Sequence, residues 1–457
     1  MNDTPRMSRR ALLRSAALIP AAGALAACAT PAAQPTAGAS PGAAKSLEVW
    51  VFDGGFGHKY ATDIHQPLFK TKYPDVTVKH NFTKEVTKIL QPRFAGGNPP
   101  DVIDNSGANA MDFGALAQDG QLLDLAPLLD AESWDDPSVK VRDTLDPSVI
   151  EIGTYDGKFH VVGYVNYIYG IWYSMKAFKD NGWEVPKTWD AFLQLCETIK
   201  KSGKMAPFTY AGKHPGYALD PILTMAAKIG GKDVLRNLDN LEDGAWKAEA
   251  LKESATRWAE ISAKYLMEGT NGLDHVQTQT AQNKYQVAML PSASWLENEQ
   301  RSTTPEGFDY AMFPIPDVTS ADKMPYGALH TQPGENYLVP AKAANTQGGI
   351  DYLRAMLSVK AAGQFMQMVS TVPTVKGAGE GLELSTGVKS AADAYAAAGD
   401  NTVYFRWNAW YLQLKDESAA ATGELMSGRI TPDKFLERMQ KKADEIKADS
   451  SIKKYKR

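Results

Sequence analysis

The feature that most constrains this chain is an alternation of two periodicities near its start. Leu47-Glu48-Val49-Trp50-Val51-Phe52 alternates apolar with mostly polar positions, the period of a half-buried strand. A helix-like segment follows the loop Asp53-Gly54-Gly55-Phe56-Gly57. Val76-Thr77-Val78 then reads as a second strand after the turn at Tyr73-Pro74-Asp75. A helical stretch runs from about Val86 to Ala95, Asn98-Pro99-Pro100 breaks it, and Asp101-Val102-Ile103-Asp104 forms a third, short strand. Strand, helix, strand, helix, strand predicts a mostly parallel sheet covered by helices, an α/β architecture. In such sheets ligands bind beyond the carboxyl ends of the strands. Asp53 and Phe56 after the first strand, and Asn105 and Ser106 after the third, are therefore candidate binding residues. The competing reading is that Asp and Asn there cap turns.

The far end of the chain is mostly helical. Residues 348–368 carry Ile350, Leu353, Met356 and Leu357 at the spacing of one helix face. Thr431-Pro432-Asp433 announces the last helix, a cap residue followed by proline at the first helical position. Phe435, Leu436, Met439 and Ile446 form its expected buried stripe. No repeat of 20–50 residues is visible, which argues against a solenoid.

The N-terminus carries an address rather than a fold. Basic residues end in Ser8-Arg9-Arg10-Ala11-Leu12-Leu13-Arg14, and an apolar stretch broken by Pro20 and Gly23 follows. It is shorter than the roughly 20 residues of a permanent membrane span. Leu25-Ala26-Ala27-Cys28 then resembles the end of a bacterial lipoprotein signal, which implies removal of residues 1–27 and lipidation of Cys28. The twin arginine resembles a Tat signal; the alternative is general secretion (Sec). Residues 28–45 read as the lipidated cysteine and a flexible tether rich in Ala, Pro, Gly, Thr and Ser. No later apolar run approaches 18 residues. The expected location is thus the extracellular face of the cell membrane, with the membrane engaged only through the lipid. With Cys28 lipidated, Cys196 has no disulfide partner and is expected as a small buried apolar residue of a helix capped by Thr188.

Of 457 residues, about 430 remain after the leader, enough for two or three compact units. The formal charge of −4 becomes about −7 once Arg6, Arg9, Arg10, Arg14 and Asp3 are removed. An acidic surface of that size excludes phosphate-backbone binding, so no nucleic-acid partner is expected. The seven histidines are scattered, none in His-Glu-x-x-His, and no cysteine pair has zinc spacing. There is no Gly-x-Ser-x-Gly elbow and no Gly-Lys-Ser/Thr phosphate loop. Nothing asks for a cofactor or a metal, and no motif argues for an enzyme, although a glycosidase-type carboxylate pair stays open as an alternative.

Aromatic side chains are concentrated. Tyr155, Phe159, Tyr164, Tyr167, Tyr169, Trp172, Tyr173, Phe178 and Trp183 fall within 29 residues, about three times the chain average. Core packing explains some of them. Flat rings beside Gly163, Asn166 and Gly170 also suit a sugar, whose C–H faces stack on rings while its hydroxyls take hydrogen bonds.

The order of segments here is similar to that of extracellular solute-binding proteins of carbohydrate ABC importers. Tyr155-Asp156-Gly157-Lys158-Phe159 resembles the family's hairpin before a crossing strand. Pro186-Lys187-Thr188-Trp189-Asp190-Ala191-Phe192 resembles its central helix start, and Gly96-Gly97-Asn98-Pro99-Pro100-Asp101-Val102 its "GxxPDV" strand. Met289-Leu290-Pro291-Ser292-Ala293-Ser294-Trp295 resembles its "AAM…GSW", with Ala293-Ser294 where the family has Gly-Ser. Gly428-Arg429-Ile430-Thr431-Pro432-Asp433 resembles its closing segment. Finer resemblance, in the long tether and in Trp407-Asn408-Ala409-Trp410-Tyr411, is to actinobacterial proteins that bind N-acetylglucosamine and diacetylchitobiose.

The resemblance implies a two-lobed periplasmic-binding-protein-like fold of type II, with a saccharide captured between lobes by hinge closure and delivered to permease subunits. It implies lobes of residues 46–161 with 317–371 and 162–316 with 372–457, crossings near 162–164, 314–317 and 372–375, a monomer, no cofactor and no catalysis. Trp295 matches the family's "GSW" tryptophan and is the first candidate for stacking on sugar. Asn166 and Tyr167 occupy the crossing-strand region where the family places contacts. Trp407 and Trp410, three apart, are further stacking candidates, with core packing as the alternative for each. His214 and Tyr217 are expected at the rim, and Glu335 and Asn336 follow Pro333-Gly334 as further contacts. A binder of a non-sugar solute is the remaining alternative.

Overall fold

A computed structural model describes residues 46–107 and 109–457; the leader, the twin arginine, Cys28 and the tether lie outside them. The opening alternation becomes β1, Ser46–Phe52, with Leu47, Val49 and Val51 buried on one face. It pairs in parallel with β2 (Thr77–Thr83) on one side and β3 (Val102–Asp104) on the other. The chain then forms a small hairpin, β4 (Thr154–Tyr155) and β5 (Lys158–Phe159). Its turn residues Asp156 and Gly157 have φ of 53° and 74°, as a two-residue turn with Asp-Gly requires.

The next strand organises the molecule. β6, Val162–Ser174, is 13 residues long and almost wholly buried. Later strands are β7 (Ala206–Phe208), β8 (Val287–Ala293), β9 (Tyr310–Phe313), β10 (Leu329–Leu338), β11 (Val372–Pro373) and β12 (Thr402–Val403). The main sheet runs β2-β1-β3-β10-β6-β8-β7, with β9 and β11 also on β6 and β12 on β10. The first half of β6 pairs antiparallel with β10 and β11; its second half, Tyr169–Tyr173, pairs antiparallel with β8, and Ile171–Ser174 with β9, so the sheet is mixed and not the mostly parallel one expected from the opening strands. One strand therefore joins the two halves of a single sheet.

Glycine makes that possible at two points. A Cβ on Gly163 would lie 2.5 Å from Pro333 Cβ of β10, and one on Gly170 would lie 2.4 Å from Met312 Cε and 2.9 Å from the Phe313 carbonyl of β9. Backbones approach too closely there for any side chain.

Two large apolar cores flank β6. The first gathers Val49, Phe69, Leu128, Tyr164, Tyr337, Tyr352 and Phe365. The second gathers Trp189, Phe192, Phe208, Trp246, Trp258, Trp407 and Phe435. Residues 314–328 contribute Ile315, Met324 and Ala328 to the second core, and β10 carries the chain from there to the first. Each large buried ring contributes about 1.5–3 kcal/mol of hydrophobic stabilisation.

Cap chemistry holds where it was legible. Thr188 Oγ1 accepts from the Ala191 amide at the head of Trp189–Ser202, and Cys196 is buried in that helix. Thr431 Oγ1 accepts from the Lys434 amide at the head of Pro432–Ala448. The single helix expected over 348–368 is instead two, Thr346–Met356 and Val359–Val369. Ser358 divides them: its hydroxyl accepts from the Ala361 amide, which starts a new helix and lets both apolar faces reach the first core. No helix among the described residues is long and apolar enough to cross a membrane.

Candidate functional site

Tyr167 and Tyr169 stand two apart on β6, so the pleat directs both to one face. Trp295 follows β8, whose last residue, Ala293, pairs with Tyr169. The Ser294 hydroxyl donates to the Asn166 carbonyl at 3.0 Å and fixes that turn against β6. The Trp295 ring meets Tyr167 at 4.9 Å and Tyr169 at 5.6 Å between centroids, at 84° and 86°. Tyr217, in the first turn of Gly216–Gly230, meets it at 6.1 Å and 89°. All four rings are half-buried, so each keeps an exposed portion. The loop after β1 approaches from the first core: Asn298 Nδ2 donates to the Gly55 carbonyl at 2.5 Å, and a Cβ on Gly55 would lie 3.7 Å from Trp295 Cβ.

Behind Tyr167 lies an acidic pair. The Tyr167 hydroxyl donates to Glu335 Oε1 at 2.9 Å, and the Glu335 amide donates to the same hydroxyl at 3.3 Å. Glu335 sits in the left-handed region, φ 47°, a sparsely populated conformation for a residue with a Cβ. Its neighbour Gly334 must be glycine, because a Cβ there would lie 2.0 Å from Tyr167 Cε2. Glu335 and Asp104 are 3% and 1% exposed. Burial pushes the Asp104 carboxyl up to about 6. Burial and then the neighbouring Asp104 charge push Glu335 well above the usual carboxylate range, so the pair retains a proton. The two carboxyls are buried neighbours whose charges act on each other. A glycosidase pair would flank a space of roughly 5 Å or more. The Ser106 hydroxyl donates to Asp104 and accepts from the Asn336 amide at 2.7 Å.

The rim carries histidines. His58 Nδ1 lies 2.8 Å from Asp53 Oδ1, and its ring stacks on Phe82 at 4.0 Å. His275 Nε2 lies 3.3 Å from Glu299 Oε1, whose hydrogen bond raises the imidazole pKa. His214 is exposed, its ring 5.3 Å from that of His275; partial burial and then that neighbour lower its pKa.

The structure thus brings Trp295, Tyr167 and Tyr217 together, with Phe56 stacked 6.4 Å from Tyr167, Glu335 and Ser106 beneath, and Asp53 and His214 at the rim. Three other candidates are engaged elsewhere. Asn105 is fully buried, its amide bonded to both the nitrogen and the carbonyl of Met111, the turn-holding role. Trp407 and Trp410, 1% and 5% exposed, belong to the second core, against Trp246 and Tyr455. Both packing alternatives apply, because the two faces of that short helical turn are covered. Asn166 is buried, and its Oδ1 finds no partner among the described residues. Tyr169, His330, Asp220, His275 and Glu299 were not selected from sequence. Tyr169 could have been, since strand alternation pairs it with Tyr167; His330 and Asp220 meet only through the tertiary fold. Cavities of about 550 and 310 Å³ near Asn271 and Ser427 include none of these residues. Among the described residues no group of three or more His, Cys, Asp and Glu is disposed to hold a metal.

Half-buried rings gathered around β6, at the edge of the first core, make this the candidate binding site, and sequence comparison shows the family. The profile described as "Bacterial extracellular solute-binding protein" matches residues 58–363. The chain belongs to the extracellular solute-binding proteins of sugar ABC transporters. This solute-binding protein is 33% identical to the "Diacetylchitobiose binding protein NgcE" of Streptomyces coelicolor, over 98% of each chain. It is 22% identical to the "Multiple sugar-binding protein" of Streptococcus mutans over 68% of this chain and 71% of that one. Among solved structures, RafE of Streptococcus pneumoniae superposes with a TM-score of 0.70 at 17% identity, covering 89% of this chain and 99% of that one. A structure titled "Chitin oligosaccharide binding protein" gives 0.71 at 20% identity over 88% and 98%. These similarities establish an α/β fold of the two-lobed, type II periplasmic-binding-protein kind. The relatives are substrate-binding proteins.

Proposed function

We propose that this protein is the lipid-anchored substrate-binding component of an ABC importer on the extracellular face of the cell membrane. It captures N-acetylglucosamine or diacetylchitobiose and hands it to permease subunits. The observation that carries this reading is the Trp295 ring, half-buried, edged by Tyr167, Tyr169 and Tyr217 and approached by the Gly55 loop that follows β1. Flat rings take the C–H faces of a pyranose, and Asn336, Asp53 and His214 offer donors and acceptors to its hydroxyls and acetamide, while Glu335 holds Tyr167 from behind. The choice of sugar rests on the chitobiose-binding relative at 33% identity. A micromolar constant corresponds to about −8 kcal/mol. Hydrogen bonds contribute roughly 1 kcal/mol net each, so stacking must supply a good share. No cofactor takes part, and the protein acts as a monomer tethered through Cys28.

Thermal-shift screening of mono- and disaccharides, with chromatography of the recovered ligand, tests the reading. Stabilisation by N-acetylated sugars with intact recovery supports it. Hydrolysed product would sink it in favour of a secreted glycosidase, and indifference to all saccharides in favour of another solute. Anchoring is tested separately: Cys28→Ala should release the protein from membranes into the medium.

A further inference from the structure

Tyr169 is held in an unusual way. Among the described residues its hydroxyl makes no hydrogen bond, so its tilt must be set by what lies against the ring. Asp220 and Tyr217 lie close enough to add to the burial that raises its pKa. Directly behind it is the His330 imidazole, near-parallel, with centroids 4.3 Å apart and 17° between planes. His330 in turn stacks on Phe405 at 5.0 Å and 24°, and Phe405 on Trp407 at 5.5 Å and 17°. Trp407 ends against Trp246, edge to face, deep in the second core. Four rings thus form one column from the cleft to the core. Flat rings can slide and twist over one another at little energetic cost, so a column fixes the tilt of its top ring only if a member is pinned in plane. His330 is pinned: its Nδ1 is hydrogen-bonded to Asp220 Oδ1. Asp220 lies one turn after Tyr217 in Gly216–Gly230, so one helix terminus supplies both a ring of the cleft and the pin of the column.

We propose that Tyr169 is a second sugar-stacking ring beside Trp295, and that His330, fixed by Asp220, is the positioning residue that sets its tilt. Resting on the sugar-binding reading, this explains why a buried imidazole is stationed behind a cleft that it does not line. It also gives Trp407 a part in the site: it supports the base of the column rather than touching ligand. Preorganisation of this kind strengthens binding by removing the need to order the ring when the sugar arrives.

The test is calorimetric titration with N-acetylglucosamine and N,N′-diacetylchitobiose, with the thermal midpoint of each variant recorded. His330→Ala and Asp220→Ala should each weaken binding about tenfold. Asp220→Asn, which still accepts the imidazole N–H, should recover most of that loss. The decisive measurement is a double-mutant cycle. In a Tyr169→Leu background, which itself loses affinity, His330→Ala should change binding less than twofold, because there is no ring left to position. Fully additive losses, or wild-type affinity in both alanine variants, would overturn the inference. Should His330→Ala fail to fold, the Asp220 pair carries the same comparison, since that side chain is 13% exposed and outside the core. If the wild-type protein binds neither sugar, the functional reading falls and this inference with it. If the wild type binds and the variants match it, only this inference falls.

Discussion

At the residue scale, two tryptophans that the sequence offers as stacking candidates separate cleanly. Trp295 is half-buried with tyrosine edges around it, whereas Trp407 is 1% exposed. Trp295→Ala should weaken saccharide binding by about 1–3 kcal/mol, by analogy with base–aromatic stacking, and leave the fold intact. Unchanged affinity by calorimetry would remove it from the site. Trp407→Ala should instead lower stability by about 3–5 kcal/mol, read as a fall in denaturation midpoint. Asp104 makes a different prediction. Its pKa is raised by burial to about 6, above the unfolded value near 3.9, so between those values the folded state holds more protons. Stability is therefore greatest below about pH 4 as far as this group is concerned, and falls as pH rises through about 6. Asp104→Asn should flatten that decline, by on the order of 1–3 kcal/mol between pH 5 and 7, in denaturant titrations at each pH. A wild type as stable at pH 7 as at pH 5 would show that the pair is not protonated in the way its burial demands.

At the element scale, β6 carries the argument. Its composition announced a strand rich in rings and interrupted by glycines, but not that the glycines mark the crossings of β10 and β9. Gly163→Ala must displace a proline ring and its backbone, neither of which yields easily. It should cost about 1–3 kcal/mol as an overpacked site and raise the saccharide dissociation constant through the register of Tyr167. Guanidinium unfolding of the variant checks the first part and calorimetry the second. The division of 348–368 into two helices belongs to this scale as well. The apolar period runs through Leu357 without a break, and Ser358 reads as an ordinary surface residue until its hydroxyl is seen capping Ala361.

At the scale of the whole molecule, segments far apart in sequence meet at several points besides β6. Asn298 reaches the Gly55 carbonyl, and the Arg301 guanidinium donates to the Met368 carbonyl and the Ser370 hydroxyl. Elsewhere Arg406 donates to the carbonyls of Glu151, Ile152 and Thr154 while its guanidinium lies 4.5 Å over Trp410. The first two contacts are few, polar and partly exposed; the Arg406 contact is larger and backed by rings. Closure is therefore expected to open at the Asn298 side and pivot near Arg406. Small-angle scattering should show a smaller radius of gyration with saturating diacetylchitobiose than without. Asn298→Ala should reduce affinity severalfold by removing about 1 kcal/mol of closed-state hydrogen bonding. Identical scattering curves would argue against hinge closure on this sugar.

The sequence by itself determined the α/β class, the first strands, the caps at Thr188 and Thr431, the family, and Trp295 with Tyr167 as candidates. All of these are written in short-range patterns: period two in a strand, a hydroxyl before a helix, an ordered run of local motifs. Only the tertiary structure decided that Asn105 holds a loop, that Trp407 and Trp410 are core, and that His330 and Asp220 meet behind Tyr169, 110 positions apart. Burial and stacking depend on which surfaces the fold covers, and a tryptophan has the same local signature whether its faces meet a sugar or a phenylalanine.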